Sequence, residues 1–145
     1  MLYFAYGSNM SVAQMAHRAP GGRPLGTGCL DGYRLFFTRD GYAAIRPQRG
    51  HRVHGVVWQV TARDIAVLDR YEGVGEGWYR RRLVAVRHGG RTRACLVYLG
   101  ANVVEGGRPI RRYFAEGVMA PALAWSLPSG YIASLARFAR GGFRG

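Results

Sequence analysis

The sequence predicts a single α+β domain, a mixed, curved sheet or small barrel with a few packed helices. Strand-like and helix-like segments do not alternate strictly, which disfavours a doubly wound parallel sheet. Residues 79–99 read as a hairpin, so part of the sheet is antiparallel. At 145 residues, with no repeat and no interior linker long enough to divide it, the chain has the size of one domain. Its 48% hydrophobic content is enough for one core without staples. The domain is expected to span residues 1–139, with the Gly/Arg-rich end Arg140 to Gly145 loose.

The elements follow in order. Leu2 to Tyr6 is apolar and reads as a buried strand stopped by Gly7. Ser11 can cap a short helix running through His17, which Pro20-Gly21-Gly22 breaks. Cys29 to Phe37 and Val53 to Val60 are strand candidates, the second rich in β-branched and aromatic residues. Thr61-Ala62-Arg63-Asp64 has the spacing of a capping box in its Asp variant. The helix it opens runs to about Glu72, where Gly73 is placed to end it in the left-handed conformation. Tyr79 to Arg87 and Thr92 to Leu99 carry alternating apolar residues across the turn-like link His88-Gly89-Gly90-Arg91. Pro109 and Ser129 precede two further helical stretches, the second ending near Phe138.

Charge and composition narrow the function. The formal charge of +13 comes from 21 basic residues, all arginine. They are scattered, with Arg80-Arg81-Arg82 and Arg111-Arg112 the only tight groups, and no aromatic-and-basic recognition motif accompanies them. Diffuse attraction to polyanions follows from the summed field, but a specific nucleic-acid partner does not. Cys29 and Cys95 lie far apart, each in an apolar run, and make neither a metal spacing nor a disulfide framework. That fits a reducing compartment. No targeting signal and no membrane-length apolar run are present, so the expectation is a cytoplasmic protein without a membrane partner. His17, His51, His54 and His88 are dispersed, and no metal or cofactor is expected.

The loop Tyr6-Gly7-Ser8-Asn9-Met10 lies between the first strand and the first helix. Such a turn presents successive backbone N–H groups, a seat for a carboxylate or phosphate, though an ordinary capped turn has the same appearance. The string closely resembles the signature of the γ-glutamylcyclotransferase family. Further segments agree in order: Val53-His54-Gly55-Val56-Val57-Trp58, Leu68-Asp69-Arg70-Tyr71-Glu72-Gly73-Val74, Gly77-Trp78-Tyr79, Cys95 to Leu99 with Tyr98, Pro109 to Tyr113, and Leu127-Pro128-Ser129-Gly130-Tyr131. The resemblance covers roughly residues 2 to 135.

It implies the γ-glutamylcyclotransferase-like fold, a mixed sheet curled into a small barrel. It also implies cofactor-free formation of 5-oxoproline, by attack of a γ-glutamyl substrate's α-amine on its own γ-carbonyl. Glu72 would be the general base and acid. The loop at Gly7, Ser8 and Asn9 would hold the glutamyl end through its backbone. Tyr6, Tyr79, Tyr98 and Tyr113 would line the pocket. The partner is then a small γ-glutamyl substrate, and the assembly a monomer or homodimer. The glutathione-specific branch usually has Leu where Asn9 stands, and the γ-glutamylamine branch differs at Ser8 and Asn9. Free γ-glutamyl amino acids or peptides therefore lead, with glutathione-derived and γ-glutamyl amide substrates open. Two departures stand out: Ile110 follows Pro109 where a Ser is usual, and Glu116 to Trp125 is apolar, with Pro121, where the family has a more polar helix.

The residues around Glu72 suit the implied role. Ile65, Leu68 and Glu72 share one helical face, so the carboxylate continues an apolar stripe, where burial raises its pKa. The last turn of a helix also disfavours negative charge. Arg80, Arg81 and Arg82 oppose both effects if any points inward. Asp69, near the same face, and Glu76, in the following loop, are rival carboxylates. In the bland alternative Glu72 frays outward or pairs with an arginine. Likewise the four tyrosines can be core residues with satisfied hydroxyls. Ser8 lacks a His or Asp partner and is rejected as a nucleophile. The competing function is a non-catalytic member of the same fold that binds an acidic ligand or a protein.

Overall fold

The computed structural model describes residues 1–145. Five strands close into a barrel: β1 (Leu2–Ala5), β2 (Arg23–Phe37), β3 (Ala43–Gln59), β4 (Tyr79–His88) and β5 (Arg91–Gly100), in the order β1-β3-β2-β4-β5. Neighbours are antiparallel except β1 and β5, which meet in parallel at Tyr3–Leu96. β2 and β4 touch through the single pair Cys29–Arg87, so the barrel is splayed along that seam.

β2 and β3 are longer than the apolar runs suggested. They form one hairpin, bulged at Pro24/Gly26 and Asp31/Tyr33. Its middle, Pro47 to Arg52 opposite the Asp31/Tyr33 bulge, is exposed and so carries no alternating apolar signal. The β4–β5 hairpin is as expected: Gly89 and Gly90, at φ 58° and 75°, form the two-residue turn whose twist matches the strands. Gly55 answers to a different constraint. A Cβ there would overlap the backbone oxygen of Ala5, so only glycine lets β3 cross β1 this closely.

In α1 (Val12–Arg18) the Ser11 hydroxyl caps Gln14 N–H at 3.2 Å. In α2 (Ala62–Tyr71) the capping box is complete: Thr61 Oγ1 accepts from Asp64 N–H at 3.1 Å, and Asp64 accepts from Thr61 N–H at 2.9 Å. Residues Tyr113–Met119 form a wide π-helical stretch that runs into α3 (Ala120–Ala124), and Pro121 is harmless in the first turn of that element. Last comes α4 (Ser129–Phe138). The apolar run Glu116 to Trp125 is inward packing in part, since Val118 and Ala122 are buried in the core.

The arginine-rich end is docked rather than loose. Phe143 packs on Phe114 at 5.7 Å between ring centroids, and Arg144 N–H donates to Pro109 O at 2.8 Å. One aromatic among glycines and arginines is enough to anchor the segment. No helix is long and apolar enough to cross a membrane.

Candidate active site

A cavity of about 610 Å³ opens between the end of β1, the signature loop, the β2–β3 turn, the end of α2 and the π-helical stretch. Every residue singled out from the sequence lines it: Glu72, Tyr6, Gly7, Ser8, Asn9, Tyr79, Tyr98 and Tyr113.

Glu72 caps α2. Its N–H donates to Leu68 O at 2.9 Å, and Gly73 at φ 64° turns the chain away as expected. The turn is braced by Val74 N–H on Asp69 O at 3.0 Å and Trp78 N–H on Gly73 O at 3.1 Å. The carboxylate therefore sits on a rigid mount. Burial raises its pKa from 4.5 to about 7, and the only opposing influence is the Arg18 guanidinium. No protein hydrogen bond contributes to that balance, so the carboxylate keeps its acceptors for something in the cavity.

The rivals are disposed of by their partners. Asp69 accepts the Tyr98 hydroxyl at 2.8 Å and pairs with Arg81 at 3.5 Å, which makes it a structural strut. Arg81 is thus engaged away from Glu72, while Arg80 and Arg82 are exposed. Glu76 is exposed and lies off the cavity wall.

The signature loop forms the opposite wall. Gly7 N–H has no acceptor within the protein. A Cβ on Gly7 would come within 3.1 Å of the Tyr113 hydroxyl, so glycine is what lets that hydroxyl reach the loop. The π-helical stretch closes over the loop in the same manner, since a Cβ on Gly117 would meet Ser8 Cβ at 3.2 Å. Trp125 Nε1 holds the loop's far end by donating to Met10 O at 2.8 Å.

Hydrogen-bond direction divides the tyrosines. Tyr6 donates to Tyr98 O at 2.7 Å, Tyr79 to Ala43 O at 3.0 Å, and Tyr98 to Asp69. Those three protons are committed to the protein. Tyr113 instead accepts from Ala43 N–H at 3.2 Å, and Tyr3 accepts from Asn9 Nδ2 at 3.0 Å. Each hydroxyl has one proton, so Tyr113 and Tyr3 remain free to donate into the cavity. Burial, reinforced by the nearby Glu72 charge, pushes both phenols above their ordinary range and keeps them protonated.

Tyr3 and Arg18, which both bond to the signature loop, escaped the sequence reading of the site, as did exposed wall residues including Arg39, Tyr42, Tyr71, Trp78 and Val104. From the sequence Tyr3 reads only as part of the buried strand Leu2 to Tyr6. Arg18, in the last turn of α1, donates to Ser8 Oγ at 3.3 Å and Asn9 Oδ1 at 3.0 Å while its guanidinium lies 4.3 Å from the Tyr71 ring centroid. It is the cation nearest in effect to Glu72. Among 21 basic residues nothing local marks it out, apart from its ten-residue distance from Ser8 across one short helix. Ile110, the departure noted after Pro109, does not line the cavity.

The family model described as "Gamma-glutamyl cyclotransferase, AIG2-like" matches residues 3–116, which include every named cavity residue. A human protein named gamma-glutamylcyclotransferase is 32% identical over 123 residues, covering 77% of this chain and 65% of the relative. Its bovine counterpart is 33% identical over 88 residues, covering 54% of this chain and 47% of the relative. The chain thus spans between about half and two thirds of the length of these curated relatives. A solved structure titled gamma-glutamyl cyclotransferase superposes with a TM-score of 0.85 at 28% identity, covering 94% of this chain and 86% of the other. YkqA from Bacillus subtilis also gives 0.85 at 28% identity, covering all of this chain and 56% of its own.

Proposed function

Because the chain belongs to the γ-glutamyl cyclotransferase, AIG2-like family, we propose that it cyclises γ-glutamyl compounds to 5-oxoproline and releases the attached amine. The observation that carries this reading is Glu72: a half-buried carboxylate titrating at about 7, without a protein hydrogen bond, facing the signature loop across one cavity.

The chemistry needs a base that also returns its proton. Glu72 takes a proton from the substrate's α-ammonium. The freed nitrogen attacks the γ-carbonyl carbon, forming the ring C–N bond and driving the carbonyl electrons onto oxygen. The oxyanion is steadied by Tyr113 or Tyr3, the hydroxyls with free protons, or by Gly7 N–H. Collapse breaks the bond to the departing nitrogen, which receives the proton from Glu72. The ring nitrogen, still carrying two hydrogens, gives its second proton to the freed Glu72 carboxylate, which passes it to the released amine directly or through water. Nucleophile and electrophile belong to one molecule, so orientation supplies much of the rate; effective molarities of well-placed intramolecular reactions reach on the order of 10⁵–10⁸ M. Arg18, bonded to Ser8 and Asn9, is placed to attract the substrate's α-carboxylate. The free thiols Cys29 and Cys95 suit a reducing cytoplasm, where we place the reaction.

The test is detection of 5-oxoproline by mass spectrometry after incubation with a panel of γ-glutamyl dipeptides. Turnover is expected from the wild type and not from Glu72→Gln, whose fold is checked by circular dichroism. An active Glu72→Gln variant, or binding without product across the panel, would overturn the assignment.

A further inference from the structure

Of the eight large apolar side chains left exposed, four lie on the wall of this one cavity: Tyr42 (48% exposed), Tyr71 (60%), Trp78 (58%) and Val104 (49%). Tryptophan is seldom left so open, and grouped exposed apolar side chains mark binding surfaces. These four form the outer part of the wall, since the inner residues Tyr3, Tyr6, Asn9, Tyr79 and Tyr98 are buried. The outer ring adjoins the reacting groups. Tyr71 immediately precedes Glu72, and Trp78 lies against the next residue, where a Cβ on Gly73 would sit 2.9 Å from its ring. The Tyr42 ring meets that of Tyr113 edge to face at 5.1 Å.

The position of the ring decides what it can hold. Arg18 stacks on Tyr71, so the part of the wall with Arg18, Ser8 and the free Gly7 N–H suits the charged end of the glutamyl unit and leaves Trp78, Tyr42 and Val104 for the rest of the substrate. Its γ-carbonyl then lies beside Glu72, and the amine bonded to that carbonyl extends towards the part of the wall that Arg18 does not occupy. A cavity of about 610 Å³ lies within the range that encloses drug-sized ligands, well above a glutamyl unit alone. Arg39, also on the wall, makes no ion pair within the protein and can meet a carboxylate on the departing group.

We propose that the exposed aromatic ring is a leaving-group subsite, and that the preferred substrates are γ-glutamyl dipeptides whose second residue is aromatic or bulky and apolar. This rests on the cyclotransferase reading above. Substrate binding stacks the departing side chain against Trp78, Tyr42 and Val104, and removes those surfaces from water.

The experiment compares γ-glutamyl-phenylalanine with γ-glutamyl-glycine on the full chain, reading initial rates of 5-oxoproline release. Both leaving groups carry a carboxylate, so only the side chain differs. The expected result is a kcat/KM ratio of at least about tenfold in favour of phenylalanine, the scale at which apolar pockets discriminate. Trp78→Ala should bring that ratio towards one, through KM more than kcat. Tyr42→Ala should lower it too, and serves if the first variant fails to fold. Equal or better turnover of the glycine substrate, or a ratio unmoved by either substitution, overturns the subsite and leaves the cyclotransferase reading standing. Absence of 5-oxoproline from both substrates overturns the two together.

Discussion

Glu72→Gln removes one ionisable proton while changing almost no volume, so its effect on stability isolates the cost of holding that carboxylate in the cavity. The group titrates at 4.5 when unperturbed and at about 7 in the folded chain. A raised carboxyl pKa means that folding disfavours the charged form. Below pH 4.5 both states hold the proton and the group costs nothing. As pH rises towards about 7, the unfolded chain loses its proton while the folded chain keeps it, so stability falls across that window. Above about 7 the penalty is complete, ~3 kcal/mol at 1.36 kcal/mol per pKa unit. Glutamine never pays this penalty. Any cost of burying its amide is the same at every pH. The assay is urea denaturation of both proteins at pH 5 and pH 8. The stability of Glu72→Gln relative to wild type should improve by roughly 2–3 kcal/mol between the two conditions. A pH-independent difference, or one of opposite sign, would show that Glu72 is solvated or paired, and the general-base assignment would fail with it.

The activity profile offers an independent check: kcat/KM should rise with pH through an apparent pKa near 7, as Glu72 becomes the free base. Arg18→Met removes the cation that opposes burial at Glu72, so this limb should move to higher pH, with kcat/KM reduced at least about tenfold by loss of the contacts to Ser8 and Asn9. An unmoved limb would mean that Arg18 does not sense Glu72. Gly55→Ala forces a methyl onto the Ala5 carbonyl and should destabilise by about 3 kcal/mol or more, or prevent folding; a well-folded variant with unchanged urea midpoint would refute that close crossing. Thr61→Ala breaks one arm of the capping box and should cost about 1 kcal/mol in urea unfolding with kcat little changed.

Much of the site was legible because its parts are local. The signature loop is five contiguous residues. The mount of Glu72 is a helix whose start, face and end are written in Thr61, Asp64, Ile65, Leu68 and Gly73, and the structure reproduces each. The β4–β5 hairpin follows from alternation around Gly89-Gly90. Less was legible where solvent replaces a core. The mid-hairpin stretch Pro47 to Arg52 is exposed and alternates no apolar residues, so its place in β3 is set by pairing between chain segments rather than by composition. The docked end, anchored by Phe143 on Phe114, depends likewise on a surface assembled from distant residues.

By itself the sequence determined where most elements lie and which carboxylate ends the central helix, since spacing along a chain fixes helix faces and strand sides, while the tyrosines that accompany that carboxylate came from the family resemblance of their segments. Only the tertiary structure decided how those groups are used. It set Tyr98 against Asp69 and Tyr6 against the Tyr98 carbonyl, left the Tyr3 and Tyr113 protons unspent, drew Arg18 from among 21 basic residues to the loop, and left Trp78 and Tyr42 open at the mouth. The reason is physical. A hydrogen bond's direction and a carboxylate's pKa depend on the partners that folding brings within a few ångströms. Tyr6 and Tyr98, for example, are 92 residues apart in sequence.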